Sequence, residues 1–206
     1  MDTIKSKLGY QPTWQQWKPG FFDDAVHLAL FVGVPVVVGF LIGLLTAKDV
    51  KGWYKTLRKP KFNPPSSVFP VVWTVLYVMM GSAAWLVWSN GGWKQHKFAL
   101  SAYTVQLFLN FLWNPTFFFL RKLDWALVDI TLLLGALATT IATFHHVDDR
   151  AAMLLVPYFL WVSFATYLNF SFCELNPKAS RHIVDAFTIK KRVQRRVAEL
   201  KAEMID

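Results

Sequence analysis

The sequence has one cysteine in 206 residues, Cys173, so no disulfide can form within the chain and a disulfide-stapled scaffold is excluded. Charge is scarce too: 17% of residues are Asp, Glu, Lys or Arg, against about 25% in an ordinary soluble domain. The scarcity is uneven. Val26–Thr46, Val68–Trp88, Phe98–Leu120, Trp125–Phe144 and Ala151–Cys173 contain between them a single such residue, Asp129. The first 25 residues have three lysines, three aspartates and no short apolar core, so no cleaved leader is expected.

Apolar and aromatic residues are plentiful. Hydrophobic residues make up 54% of the chain, with 10 Trp and 18 Phe, and mean hydropathy is +0.32. That excludes disorder. Each of the five uncharged runs is 20 to 23 residues long, and a helix needs roughly 20 residues to cross a hydrocarbon core of about 30 Å. The chain is therefore predicted to be an all-α membrane protein: a five-transmembrane-helix bundle with helices over about 26–46, 68–88, 98–120, 125–144 and 151–173. Residues 1–25 read as an N-terminal extension, 26–176 as the transmembrane domain and 177–206 as a basic C-terminal tail.

The net charge of +9 has a definite location. The first connection carries Lys48, Lys51, Lys55, Arg58, Lys59 and Lys61, the third Arg121 and Lys122, and the tail eight more basic residues. The opposite side has Lys5, Lys7, Lys18, Lys94, Lys97 and Arg150. The basic-rich side is expected to face the cytoplasm. In the tail, Ala186, Ile189, Val193, Val197, Leu200 and Met204 are spaced as one helix face, with Lys190, Lys191, Arg192, Arg195 and Arg196 nearby. Such a helix suits an anionic lipid surface or a protein partner, and nothing else in the chain points to nucleic acid.

The first connection is unusually organised. WYKTLRKPKFNPP begins at Trp53 and SSVFPVVWTVLY follows at once. Trp53 and Leu57 share a face of a short helix that Pro60, Pro64 and Pro65 prevent from continuing. The result is a partly rigid flap, an interfacial anchor, a pocket lid, or both.

These motifs, with PYFLWVSFATYLN at Pro157 and WALVD at Trp125, resemble the tryptophan-rich sensory protein family, whose animal members are called translocator protein or peripheral benzodiazepine receptor. The resemblance covers roughly Val32 to Asn176. It implies a five-helix bundle whose first loop covers a pocket for porphyrins such as protoporphyrin IX and heme. In animal members the pocket also takes cholesterol and synthetic benzodiazepine-site ligands.

The residues themselves also suggest a pocket. Gln106, Asn110, Trp113 and Phe117 are spaced by 4, 3 and 4 and form one face of the third helix. Amides are costly in hydrocarbon unless bonded, so Gln106 and Asn110 should face the interior, as interhelical links or as pocket groups. Pro115 can bend the helix and widen a cavity at that depth. Trp73 and Trp161 lie inside spans, where their indoles either pack or stack on a flat macrocycle. By resemblance they match the pair that bacterial members use in porphyrin binding and light-dependent degradation. Trp53, Tyr54, Asn110, Trp113, Ala165 and Leu168 likewise fall on family ligand-pocket positions.

Two departures bear on function. Animal members end the fifth helix with a sterol-associated Tyr and basic residue, whereas Phe170 and Glu174 stand at those positions. Sterol binding by that motif is not expected. The small-residue pattern associated with dimers in the third helix is broken at Val105. Gly39 and Gly43 supply another, serving a homodimer or tight packing within one bundle.

Asp129, about one turn from a helix end, can reach headgroup water or the nearby Lys122, and a structural pairing is expected ahead of a proton or ligand role. His145 and His146 have no further ligands at metal spacing, and no metal site or required cofactor is expected. Porphyrin enters as ligand. The readings are a receptor or carrier for tetrapyrroles, a light-dependent porphyrin oxidase acting through Trp73 and Trp161, or a scaffold working through its tail. No nucleophile–base pair or carboxylate dyad supports dark catalysis. The mitochondrial outer membrane is the expected location, ahead of endoplasmic reticulum or a bacterial outer membrane.

Overall fold

The computed structural model describes residues 21–180. These form α1 (Phe21–Lys51), a short α2 (Trp53–Thr56), α3 (Val68–Ser89), α4 (Gly92–Asn114), a π-helical turn (Pro115–Phe119), α5 (Leu123–His145), α6 (Asp149–Leu175) and a final 3₁₀ turn (Pro177–Ala179). The basic helix read in the tail lies outside the described residues.

Among the described residues, four helices are long and apolar enough to cross a membrane: α1 over Asp24–Lys51, α3, α5 and α6. The third expected span, α4, falls short by composition. Its first turns carry Lys94, Gln95, His96 and Lys97, and its interior Gln106, Asn110 and Asn114. The chain leaves helical dihedrals at His96 (φ −115°, ψ 29°), so the regular part of α4 begins near the expected start of the span.

Helices run past the charges that bound the apolar runs, because a hydrogen-bonded backbone continues until something caps it. α6 starts where the Asp148 carboxylate accepts a bond from the Arg150 N–H at 2.8 Å. α3 and α4 are separated by a tight turn with left-handed glycines, Gly91 (φ 144°) and Gly92 (φ 68°). α4 ends at Asn114, but Pro115 does not break the helical path. The backbone widens to a π turn in which Leu120 N–H reaches Pro115 O at 2.8 Å.

α3 is central, packing on α1, α6 and α4, while α5 packs on α4 and α6. The shared core includes Met80, Val87, Leu133, Leu137, Leu155 and Val162. At Gly81 an added Cβ would meet the Phe31 carbonyl and Val32 Cα of α1. Only glycine permits that approach. The outward faces are apolar as well: Leu45 is 77% and Met153 71% exposed, a surface that suits hydrocarbon and not water.

Candidate functional site

A cavity of about 700 Å³ lies between α1, α3, α4 and α6, and Tyr54, Asn63 and Ser66 of the first connection contribute to its lining. The walls are mostly apolar: Val36, Phe40, Gly43 and Leu44 on α1, Phe69 and Trp73 on α3, Phe117 and Phe118 in the π turn, and Leu168 and Phe172 on α6. The π turn places Phe117 at 5.1 Å from Trp113 and 5.7 Å from Phe172, centroid to centroid.

The connection is held at both ends. Tyr54 OH donates to Asn63 Oδ1 at 2.9 Å, and its ring packs on Phe117, Phe118 and Phe172. Burial pushes the Tyr54 hydroxyl above its ordinary pKa, so it remains a neutral donor. Asn176, just beyond α6, accepts from Arg58 N–H at 2.9 Å and donates to Arg58 O at 3.0 Å. One amide side chain thus ties both polar groups of a loop residue 118 positions away. Asp49 at the end of α1 accepts from Arg121 at 2.7 Å, and the Arg121 guanidinium lies 5.8 Å from the Trp53 ring.

At the far end of the cavity, Tyr77 OH donates to Asn110 Oδ1 at 3.0 Å and Asn110 Nδ2 donates to Tyr158 OH at 2.7 Å. Nearer the first connection, Trp113 Nε1 donates to Asn169 Oδ1 at 3.0 Å, and Asn169 Nδ2 donates on to Leu123 O at 2.9 Å. Three helices are linked through each amide. The groups hold their orientation without a ligand, which gives the cavity a fixed shape.

Of the residues singled out in the sequence, Tyr54, Trp73, Asn110, Trp113, Ala165 and Leu168 line this cavity together. Trp53 stands behind it, edge-on to Phe117 at 6.2 Å. Gln106 is fully buried, outside the lining, with neither amide atom bonded. Trp161 lines a separate apolar groove between α3 and α6 and touches Phe69 at 5.9 Å. Trp73 and Trp161 therefore do not face one cavity. Gly39 and Gly43 both line the cavity; an added Cβ at Gly39 would enter the Tyr77 ring, so Gly39 serves packing inside this bundle, whereas one at Gly43 meets nothing within 4 Å.

The expected Asp129–Lys122 pair does not form. Asp129 is buried and its Oδ2 has no partner, because it faces the interior of α5 while Lys122 precedes the helix. His145 instead meets Asp149 at 2.8 Å. Phe170 and Glu174 are outside the cavity lining. Sequence reasoning missed Lys51, Tyr77, Asn114 and Asn169 in the lining. Tyr77 and Asn169 each lie four residues after a residue it had singled out, Trp73 and Ala165, on the same helix faces.

Residues 31–175 match the TspO/MBR family. The chain is 43% identical over 152 residues to the tryptophan-rich protein TspO of Chlorobaculum tepidum, covering 73% of this chain and 96% of that one. It is 40% identical over 157 residues to the translocator protein of Homo sapiens, covering 75% and 88%. With the tryptophan-rich sensory protein of Cereibacter sphaeroides the identity is 41% over 144 residues, covering 70% and 85%.

Proposed function

Because the chain belongs to the TspO/MBR family, we propose that it is a five-transmembrane-helix receptor or carrier for a tetrapyrrole, or another flat apolar ligand, bound under its first connection. The observation that carries this reading is the cavity of about 700 Å³ walled by Trp73, Trp113, Phe117 and Phe172. Its size is that of a small-molecule site, and aromatic faces offer stacking to a planar body. Its inner polar groups are bonded to one another, so the site is built ahead of the ligand and favours binding over chemistry.

The test is a dark titration of protoporphyrin IX into detergent-purified protein, followed by the Soret band. The parent should bind saturably at one to one. An added Cβ at Gly43 meets nothing within 4 Å, so Gly43→Trp projects into the cavity and should weaken binding about tenfold, or about 1.4 kcal/mol. Equal, non-saturating uptake by both proteins would sink the reading.

A light-dependent porphyrin oxidase is the second reading, favoured by Trp73 in the wall. It requires turnover under illumination that Trp73→Phe abolishes. The protein is an integral membrane protein, and the resemblance supports the mitochondrial outer membrane as its location. Fractionation of the source cells checks this, since the family also has bacterial members.

A further inference from the structure

Among the described residues that line the cavity, one carries a charge. Lys51, the last residue of α1, is exposed at the loop-side rim, and no aspartate or glutamate shares the lining. The neighbouring carboxylate in sequence, Asp49, is engaged by Arg121. Lys51 itself makes no ion pair among the described residues.

Most neutral polar groups of the wall are already bonded. Tyr54 holds Asn63, Tyr77 holds Asn110, Trp113 holds Asn169, and the Thr46 and Thr74 hydroxyls donate to carbonyls of their own helices. Asn114 Oδ1 is buried without a partner; that oxygen only accepts, and the NH2 beside it is a neutral donor, so the charged donor of the wall is Lys51. A lysine at a membrane rim lays its stem on apolar surface and keeps three donors at the water boundary.

Resting on the reading of this cavity as the binding site for a flat apolar ligand, we infer that Lys51 makes the site selective for amphiphiles that carry an anionic edge. The apolar body lies among the aromatic walls and a carboxylate meets the Lys51 ammonium at the rim. A neutral ligand of the same shape fills the same space and lacks this contact. A lipid headgroup phosphate has the same chemistry, so the lipid must be varied in the test.

Protoporphyrin IX and its dimethyl ester share a macrocycle and differ in charge. Both are titrated in the dark into protein in phosphatidylcholine nanodiscs, and into protein in discs that also contain phosphatidylglycerol. The parent should prefer the acid about fivefold, which is about 1 kcal/mol, in both kinds of disc. Lys51→Met should bring the acid to the ester's affinity and leave the ester within about twofold, while Lys51→Arg restores the preference.

Equal affinity of the parent for acid and ester, or a parallel loss of both in Lys51→Met, overturns the inference while the cavity reading stands. A preference that vanishes when phosphatidylglycerol is present assigns Lys51 to lipid and also overturns it. Saturable binding of neither compound overturns both readings together.

Discussion

Both ends of the Asn110 amide are taken by tyrosine hydroxyls, Tyr77 on α3 and Tyr158 on α6, so one side chain of α4 links two other helices. Asn110→Leu keeps the volume and leaves two hydroxyls in an apolar interior. Such polar links within membranes are worth about 1–2 kcal/mol, so thermal unfolding in detergent should move down by several degrees. Adding Tyr77→Phe should cost less in the Asn110→Leu background than in the parent, because the partner is already gone. Additive losses would mean that the two groups do not act together. The spacing of Gln106, Asn110, Trp113 and Phe117 made their common face legible. What it could not give was depth: the lining stops at Asn110 on α4 and at Ala165 on α6. Gln106 lies about one turn farther along and misses the cavity, whereas Trp161, at the level of the wall residue Phe69, faces the separate groove between α3 and α6. Lys51 was legible as a charge but not as a wall residue, since it sits beyond the apolar run that defined the first span.

At the scale of elements, Gly81 is the point where α3 admits α1. Gly81→Ala drives a methyl group onto backbone atoms of Phe31 and Val32, which cannot swing aside as a side chain can. Overpacking of this kind costs about 1–3 kcal/mol. Because α1 is attached chiefly through α3, the variant should show faster amide exchange in α1 and weaker ligand binding, with α5 and α6 unchanged. Uniform protection along α1 would show that the contact is slack. The start of α6 offers a pH handle. The Asp148 carboxylate caps the helix and accepts from the Arg150 guanidinium, which holds it below its ordinary pKa. A lowered folded-state pKa contributes stability that is present above the unfolded value and disappears as pH falls through the folded one. Asp148→Ala should cost about 1 kcal/mol near neutrality, and the gap from the parent should close below the ordinary carboxylate range. A gap that persists at low pH would place the effect elsewhere. Element positions were largely legible because charge marks where hydrocarbon ends. Element ends were not, since caps such as Asp148 and the π turn at Pro115 depend on hydrogen bonds that composition does not encode.

The whole molecule turns on α4. Its amides and polar first turns make it less apolar than the other four long helices, yet it packs along α5 and against α3, and 23 residues reach about 35 Å. That length matches a crossing. Gln106, Asn110 and Trp113 point inward, the last two bonded to other helices, the Thr104 hydroxyl is taken by its own helix, and the helix meets lipid chiefly with Val105, Phe108 and Leu112. Polarity satisfied in the interior does not oppose a span. If α4 crosses, its start at Lys94 and the connection to α5 at Lys122 lie on opposite sides of the membrane. The side with Lys51, Arg58, Arg121 and Lys178 should then face the cytosol. Single cysteines at Lys94→Cys and Lys122→Cys, each in a Cys173→Ala chain, can be tested with a membrane-impermeant maleimide in vesicles of known orientation. One position should label in sealed vesicles and the other only after permeabilisation. Labelling of both from one side would make α4 a re-entrant element, and the bundle a four-span protein with its cavity opening differently to the two leaflets.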